Sequence, residues 1–167
     1  MSKLIARYTT FPKLLFRLSN RPTIKLRDFD PRRESGAYDV KIKHGVVQPI
    51  AMTSETYQRP NGASMRANTS VQQKLVQEFK GTKVRVYCVP AETVLPEDLV
   101  LVHEFGGHYS LQPKVEMTLP GGHGRAPEKS RKLMWVELNA KLTAFYTSQA
   151  SALTKEDWQK QYPEATE

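Results

Sequence analysis

The chain has one cysteine among its 167 residues, and this scarcity excludes two kinds of structure. An internal disulfide needs two cysteines, and a metal site built from several thiolates needs at least as many. Cys88 lies inside the apolar run 84–89, which is typical of a core residue. No hydrophobic run approaches the ~20 residues that a membrane helix requires, so we expect no membrane span.

The common catalytic signatures are also missing. The sequence contains neither the G-x-S-x-G pattern of a serine hydrolase nor the glycine-rich loop of a P-loop NTPase. The stretch 103–108 reads HEFGGH, which is close to the zinc signature H-E-x-x-H. Its histidines stand five positions apart and enclose two glycines, so they would not share one face of a helix. We therefore predict no metal site.

Acidic residues are absent from the first 27 positions, and the charge of the chain is unevenly distributed. The net charge is +8; residues 100–167 carry eight basic and eight acidic side chains, whereas residues 1–99 carry 17 basic and 9 acidic ones. Such a concentration of positive charge favours an anionic ligand or an anionic macromolecule as partner. A solvated basic face without a ligand is the alternative.

The basic, acid-free N-terminus also bears on localisation. It interleaves arginines and lysines with apolar residues, a composition that resembles a mitochondrial transit peptide. It has no long apolar stretch of the secretory kind. We expect a cytoplasmic protein, with mitochondrial import or export without a signal peptide as alternatives. Cleavage near residue 20 would remove Arg17, which the site proposed below requires.

The hydrophobic patterning predicts a single α+β domain over residues 1–167. Three strand-like runs follow one another at 83–89, 99–104 and 108–112, with a hairpin connection at 105–107 between the last two. A strand is predicted at 14–18, a helix at 70–80 and a second helix at 133–147. The first helix has a capping box of Ser70 and Gln73, and its apolar face is formed by Val71, Leu75, Val76 and Phe79. A mobile basic loop is predicted at 121–132, and the segment 150–167 is predicted to hold a short helix that begins at Thr154, followed by a tail.

Four separated blocks of sequence occur in an informative order. They are Leu15-Phe16-Arg17, Gly62-Ala63-Ser64, the stretch 89–99 with the sequence VPAETVLPEDL, and His108-Tyr109-Ser110. In these blocks the chain resembles the ADP-ribosyltransferase-like toxin family known from type VI secretion effectors and their fungal relatives. The resemblance covers roughly residues 14 to 146. The second half of the pattern is the more specific, since an arginine or a glycine-serine turn alone is common.

This resemblance implies a split β core of two small sheets with flanking helices, and NAD as the substrate. The catalytic residues would be Arg17, Ser64 and His108, and those that bind NAD would be Arg17, Gly62, Ser64 and Tyr109. Arg17 offers a planar fork of donors for a phosphate or ribose, and Gly62 lets the backbone approach the ligand. Ser64 would hold the nicotinamide ribose, Tyr109 would stack on the nicotinamide, and His108 would bond a ribose hydroxyl or relay a proton.

One departure from the wider pattern of ADP-ribosyltransferases concerns the acceptor. Transferases that modify protein side chains usually carry a glutamate on the final strand, where this chain has His108-Tyr109-Ser110; Glu104 and Glu116 lie nearby in sequence but off that position. The acceptor could therefore be a protein, an RNA or water, and a neutralising immunity or antitoxin protein is an expected partner. A catalytically silent basic module that binds RNA or another anion is the alternative function.

Overall fold

The computed structural model describes residues 4–32, 38–119 and 137–167, and within these ranges the chain forms two antiparallel sheets and three helices. The strands are β1 (Ala6–Tyr8), β2 (Leu15–Ser19), β3 (Ile42–Lys43), β4 (Val46–Val47), β5 (Ala63–Arg66), β6 (Arg85–Val89), β7 (Leu99–Phe105), β8 (His108–Pro113), β9 (Met117–Thr118) and β10 (Ser151–Thr154). The helices are α1 (Ser70–Glu78), α2 (Leu138–Gln149) and α3 (Lys155–Gln161). The predicted α+β class is confirmed. In the described ranges no helix is long and apolar enough to cross a membrane.

The larger sheet has the strand order β1-β7-β8-β5-β2-β6-β10, and it is nearly divided between β5 and β2. In the described chain β2 pairs with β6 at five positions but with β5 at one, Phe16 opposite Arg66. Because one register pair joins the two parts, the sheet behaves as a four-strand group and a three-strand group. The smaller sheet has the strand order β3-β4-β9, and its Val47 and Met117 belong to the main core cluster.

The predicted hairpin between β7 and β8 is present, with Gly106 and Gly107 in its turn. Gly106 has φ of 43°, a left-handed conformation that favours glycine. The register shifts by one residue between His103 and Phe105, so Glu104 is the additional residue of a β-bulge. Bulges change the direction of a side chain, and this one lies beside the predicted site.

The core has a main cluster on one face of the large sheet and smaller clusters on the other. Helix α2 covers the main cluster with Leu142, Phe145 and Tyr146. On the opposite face α3 places Trp158 against Phe16 in the three-strand group. The alternating burial of β5 follows from this arrangement, because successive side chains of a strand point to opposite faces.

Helix α1 forms where the sequence predicts it, but its cap and its buried face differ from the prediction. The cap is Thr69, whose hydroxyl accepts a hydrogen bond from the backbone N–H of Gln72 at 3.2 Å. Val71 and Leu75 are exposed, whereas Gln72 and Val76 are buried. The helix forms because its residues favour a helix locally, but tertiary contacts decide which of its faces is buried. Gln73 donates hydrogen bonds to Asn68 and to the carbonyl of Tyr162, which fits the observed orientation.

Other element boundaries moved by a few residues. Helix α2 begins at Leu138 and extends to Gln149, and the predicted stretch before 137 lies outside the described residues, as does the predicted mobile loop at 121–132. Strand β10 was not predicted; it pairs with β6 from Ser151 to Thr154. At the other end of the sheet, β1 shows that the basic N-terminal region contributes a strand.

Candidate functional site

Arg17 lies at the division of the large sheet, on β2 and beside the end of β5. One terminal nitrogen, Nη1, donates a hydrogen bond to the backbone carbonyl of Ser64 at 2.9 Å. Its Nε is buried and has no hydrogen-bond partner in the described part of the chain. Buried donors are nearly always paired in folded proteins, so an unpaired guanidinium nitrogen fits an oxygen-rich ligand.

Two tyrosines lie on the side of Arg17 that faces α2. Tyr87 is the register neighbour of Arg17 on β6, and its hydroxyl donates to the carbonyl of Pro22 at 2.8 Å. The Tyr146 hydroxyl is fully buried and, within the described ranges, lacks a hydrogen bond. Burial raises the pKa of the Tyr146 phenol, and the charge of Arg17 acts on it in the opposite direction. Two unsatisfied polar groups, Arg17 Nε and Tyr146 Oη, thus lie in one region.

Arg66 is a second cation at the division, and sequence reasoning did not select it. Burial lowers the pKa of its guanidinium, and the like charge of Arg17 lowers it further. No hydrogen bond or ion pair joins Arg66 to any residue in the described ranges. Two neighbouring guanidinium groups without a carboxylate between them favour a bound anion. The alternation of β5 is the sequence signal, since it places Arg66 two residues after Ser64 on the same face.

The register of β5 and β8 places the predicted residues on two faces of the sheet. Ser64 lies opposite Ser110 and Arg66 opposite His108, so Ser64 and His108 share a face. Tyr109 lies opposite Met65, and both contribute to the main core cluster on the other face. The register therefore places Ser64, Arg66 and His108 on the face that carries Phe16. Arg17 alternates with Phe16, so it lies with Tyr87 and Tyr109 on the face of the main core cluster and reaches Ser64 through the backbone carbonyl.

Tyr109 is packed inside the protein. Its side chain is 4% exposed, and its ring stacks on that of His103 with 4.3 Å between centroids. Tyr8 contacts the same ring at 6.4 Å. Burial raises the pKa of the Tyr109 phenol. Its predicted stacking on nicotinamide stays a prediction, and these contacts give the residue a packing role.

Gly62 precedes β5 where that strand approaches β8 most closely. A Cβ atom at this position would lie 2.0 Å from the carbonyl oxygen of Leu111 and 2.8 Å from Oγ of Ser110. Glycine is therefore required for the two backbones to meet. Its predicted part in binding NAD stays a prediction beside this structural one.

Glu104 is the second residue that sequence reasoning did not select. It is 3% exposed, and Oε2 lies 2.6 Å from Nδ1 of His108. The Tyr57 hydroxyl donates to the other oxygen, Oε1, and Gln112 Nε2 lies 3.1 Å from the Tyr57 oxygen and 3.4 Å from the same Oε1. The β-bulge turns Glu104 towards His108, and nothing in the spacing of the sequence predicts a bulge at this residue.

The described cavities lie elsewhere. Two depressions of about 240 and 690 Å³ run along α2 and share Ala144 as a lining residue. None of the five predicted site residues lines either of them. The candidate site is therefore defined by unpaired polar groups at the division of the sheet rather than by these depressions.

An α+β fold with two antiparallel sheets, the larger one divided beside a half-buried arginine, fits the class of ADP-ribosyltransferase folds. A family model described as Tse2 ADP-ribosyltransferase toxin matches residues 13–158, which is most of the chain. The chain belongs to this family of toxins, as the four sequence blocks indicated. Comparison with curated proteins gave no match. Comparison with solved structures gave none either.

Proposed function

We propose that the protein is a toxin that binds NAD at the division of the large sheet and transfers its ADP-ribose group to a macromolecular acceptor. The observation that carries the proposal is that Arg17 and Arg66 approach the division of the sheet from its two faces. There the charge of Arg17 acts on Arg66, and neither arginine has an acidic partner among the described residues. A dinucleotide brings a pyrophosphate, the anion that two guanidinium groups bind best. Membership of the toxin family supports the same reaction class.

The chemistry assigns a task to each residue at the division. Breaking the nicotinamide–ribose bond develops positive charge on the ribose, so the protein must hold the dinucleotide in a fixed orientation. Arg17 and Arg66 would bind the pyrophosphate. Ser64 and His108, on the face that Arg66 shares, would bond the nicotinamide ribose. The Ser64 carbonyl already positions Arg17, so binding and orientation depend on one local network.

The acceptor and the neutralising partner belong to this proposal too. A polyanionic acceptor such as RNA suits the basic residues 1–99, whereas a protein or water would need a group that activates the incoming nucleophile. A neutralising protein with an acidic surface would cover the arginine pair and so exclude the substrate. Charge complementarity of this kind mainly speeds association.

Nicotinamide release from NAD by the purified protein tests the proposal directly. We expect release by the wild type and a loss of roughly 10²-fold or more in Arg17→Ala, the scale of removing one electrostatic contact to the transition state. Arg21→Ala is the matched control, because Arg21 is an exposed arginine four residues further along the chain. An equal loss in both variants, or no release by the wild type, would contradict the proposal.

A second function, a silent binding module for RNA or another anion, is favoured by the same unpaired arginines. Phosphate contacts of that kind would give an affinity that falls steeply with salt. Growth of cells that express the protein distinguishes the two functions. Toxicity that Arg17→Ala and Ser64→Ala abolish supports the transferase. RNA binding without nicotinamide release supports the module.

A further inference from the structure

Glu104 and His108 form a buried acid–histidine pair at the edge of the proposed site. The carboxylate and the imidazole come from neighbouring strands of the β7–β8 hairpin, and Oε2 lies 2.6 Å from Nδ1. The two atoms are in close contact, but their angle is not that of a hydrogen bond, and Nδ1 has no other partner in the described part of the chain. The two side chains are 1% and 10% exposed. A carboxylate that is buried to this degree costs free energy unless it is hydrogen-bonded, and Tyr57 and Gln112 supply those bonds to Oε1. Oε2 is left for the contact with His108.

We propose that Glu104 is a positioning residue that fixes the protonation of His108, with the proton on Nδ1 and the lone pair on Nε2. Without a proton on Nδ1, the lone pair of this nitrogen would face a carboxylate oxygen at 2.6 Å, and the two would repel each other. The close contact therefore favours a proton on Nδ1. Nε2 has no hydrogen-bond partner among the described residues, and it is left as an acceptor for a hydroxyl proton. This inference rests on the proposed function, in which His108 faces the ribose or the acceptor.

The surroundings of His108 hold the ring in this orientation. Phe105 stacks on the imidazole with 4.7 Å between centroids, and the Arg59 guanidinium lies 4.3 Å from the centre of the Phe105 ring on which it packs. Arg66 is the register neighbour of His108 on β5.

The network around Glu104 predicts what a glutamine would do at this position. Tyr57 and Gln112 present hydrogen-bond donors to Oε1, so the amide oxygen of Glu104→Gln would take that place. Its NH₂ group would then face Nδ1 of His108 and donate to it. The imidazole would carry its proton on Nε2 instead, and it could no longer accept one there.

The first measurement is the tautomer of His108 by ¹⁵N NMR of labelled protein at neutral pH. We expect a proton on Nδ1 in the wild type and on Nε2 in Glu104→Gln. Tyr57→Phe is the matched control, because it removes a donor to Oε1 and keeps both the carboxylate and the histidine; its tautomer should stay as in the wild type. A proton on Nε2 in the wild type overturns the inference, even if no variant folds.

The second measurement is nicotinamide release by the same proteins. Loss of a general base lowers kcat by roughly 10²- to 10⁴-fold, with little change in KM. We expect this for Glu104→Gln and not for Glu116→Gln, an exposed glutamate in the same region. A switched tautomer with unchanged kcat overturns the role of Glu104. Absence of release from the wild type overturns the proposed function instead. The tautomer measurement then still tests whether Glu104 fixes the position of the proton on His108.

Discussion

Two parts of the same face of the large sheet contrast sharply. On the three-strand group, Phe16 and Cys88 pack beneath Trp158 of α3 in an apolar cluster. On the four-strand group, the same face carries Arg66, His108 and a buried glutamate network beside a small apolar cluster with Val100 and Val102. Both parts gain stability from burial of apolar area, and the second also bears the cost of desolvated charge. The difference teaches that the polar residues, which the proposed function assigns to a ligand, are confined to one half of this face.

The largest expected effect comes from the apolar half. Trp158 is fully buried, and its ring meets those of Phe16 and Tyr162 at 5.4 and 5.5 Å. Trp158→Ala should lower the free energy of unfolding by about 3–5 kcal/mol, because it leaves a cavity and removes aromatic contacts. Denaturant unfolding measures the loss. A cost below about 1 kcal/mol would remove the contrast between the two halves.

A smaller effect of opposite sign is expected in the polar half. Arg66→Met replaces an unpaired, largely buried cation by an apolar side chain of similar length, so it should raise the free energy of unfolding by about 1–2 kcal/mol. On the proposed function, NAD should raise the Tm of the wild type, and the same change should abolish that increase. Arg85→Met, an exposed arginine on β6, is the control and should change neither. Destabilisation by Arg66→Met would show that this cation has a partner and a structural use.

The smallest expected effect concerns the buried thiol of Cys88 in the apolar half, and it appears at alkaline pH. Burial raises the pKa of the Cys88 thiol from 9.0 to about 12. A group whose folded pKa is raised stabilises the protein below its unfolded pKa and loses that contribution as pH rises through the folded value. Between pH 9 and 12 the wild type should therefore lose stability relative to Cys88→Ala, by about 1 kcal/mol at pH 10. Parallel unfolding curves for the two proteins across this range would contradict a buried thiol.

Local signals determined much of the fold. The strand at 14–18, the hairpin at 105–107 and the last helix lie within a residue or two of their predicted positions, because alternation, glycine turns and capping residues act over a few neighbours. Strand β10 was not predicted, because its four residues show no strand pattern of their own. They form a strand because they pair with the open edge of β6. The orientation of α1 was also decided by contacts to distant residues.

For the site, the sequence by itself determined the family and selected Ser64 and His108, which lie on one face of the sheet. Only the tertiary structure decided that Arg66 shares that face, that Arg17 and Tyr109 lie on the other, and that Glu104 contacts His108. The physical reason is register. The face on which a strand residue lies depends on the residue that it meets on the next strand. A bulge turns one side chain to the opposite face, and the neighbouring residues in sequence do not indicate where the bulge occurs.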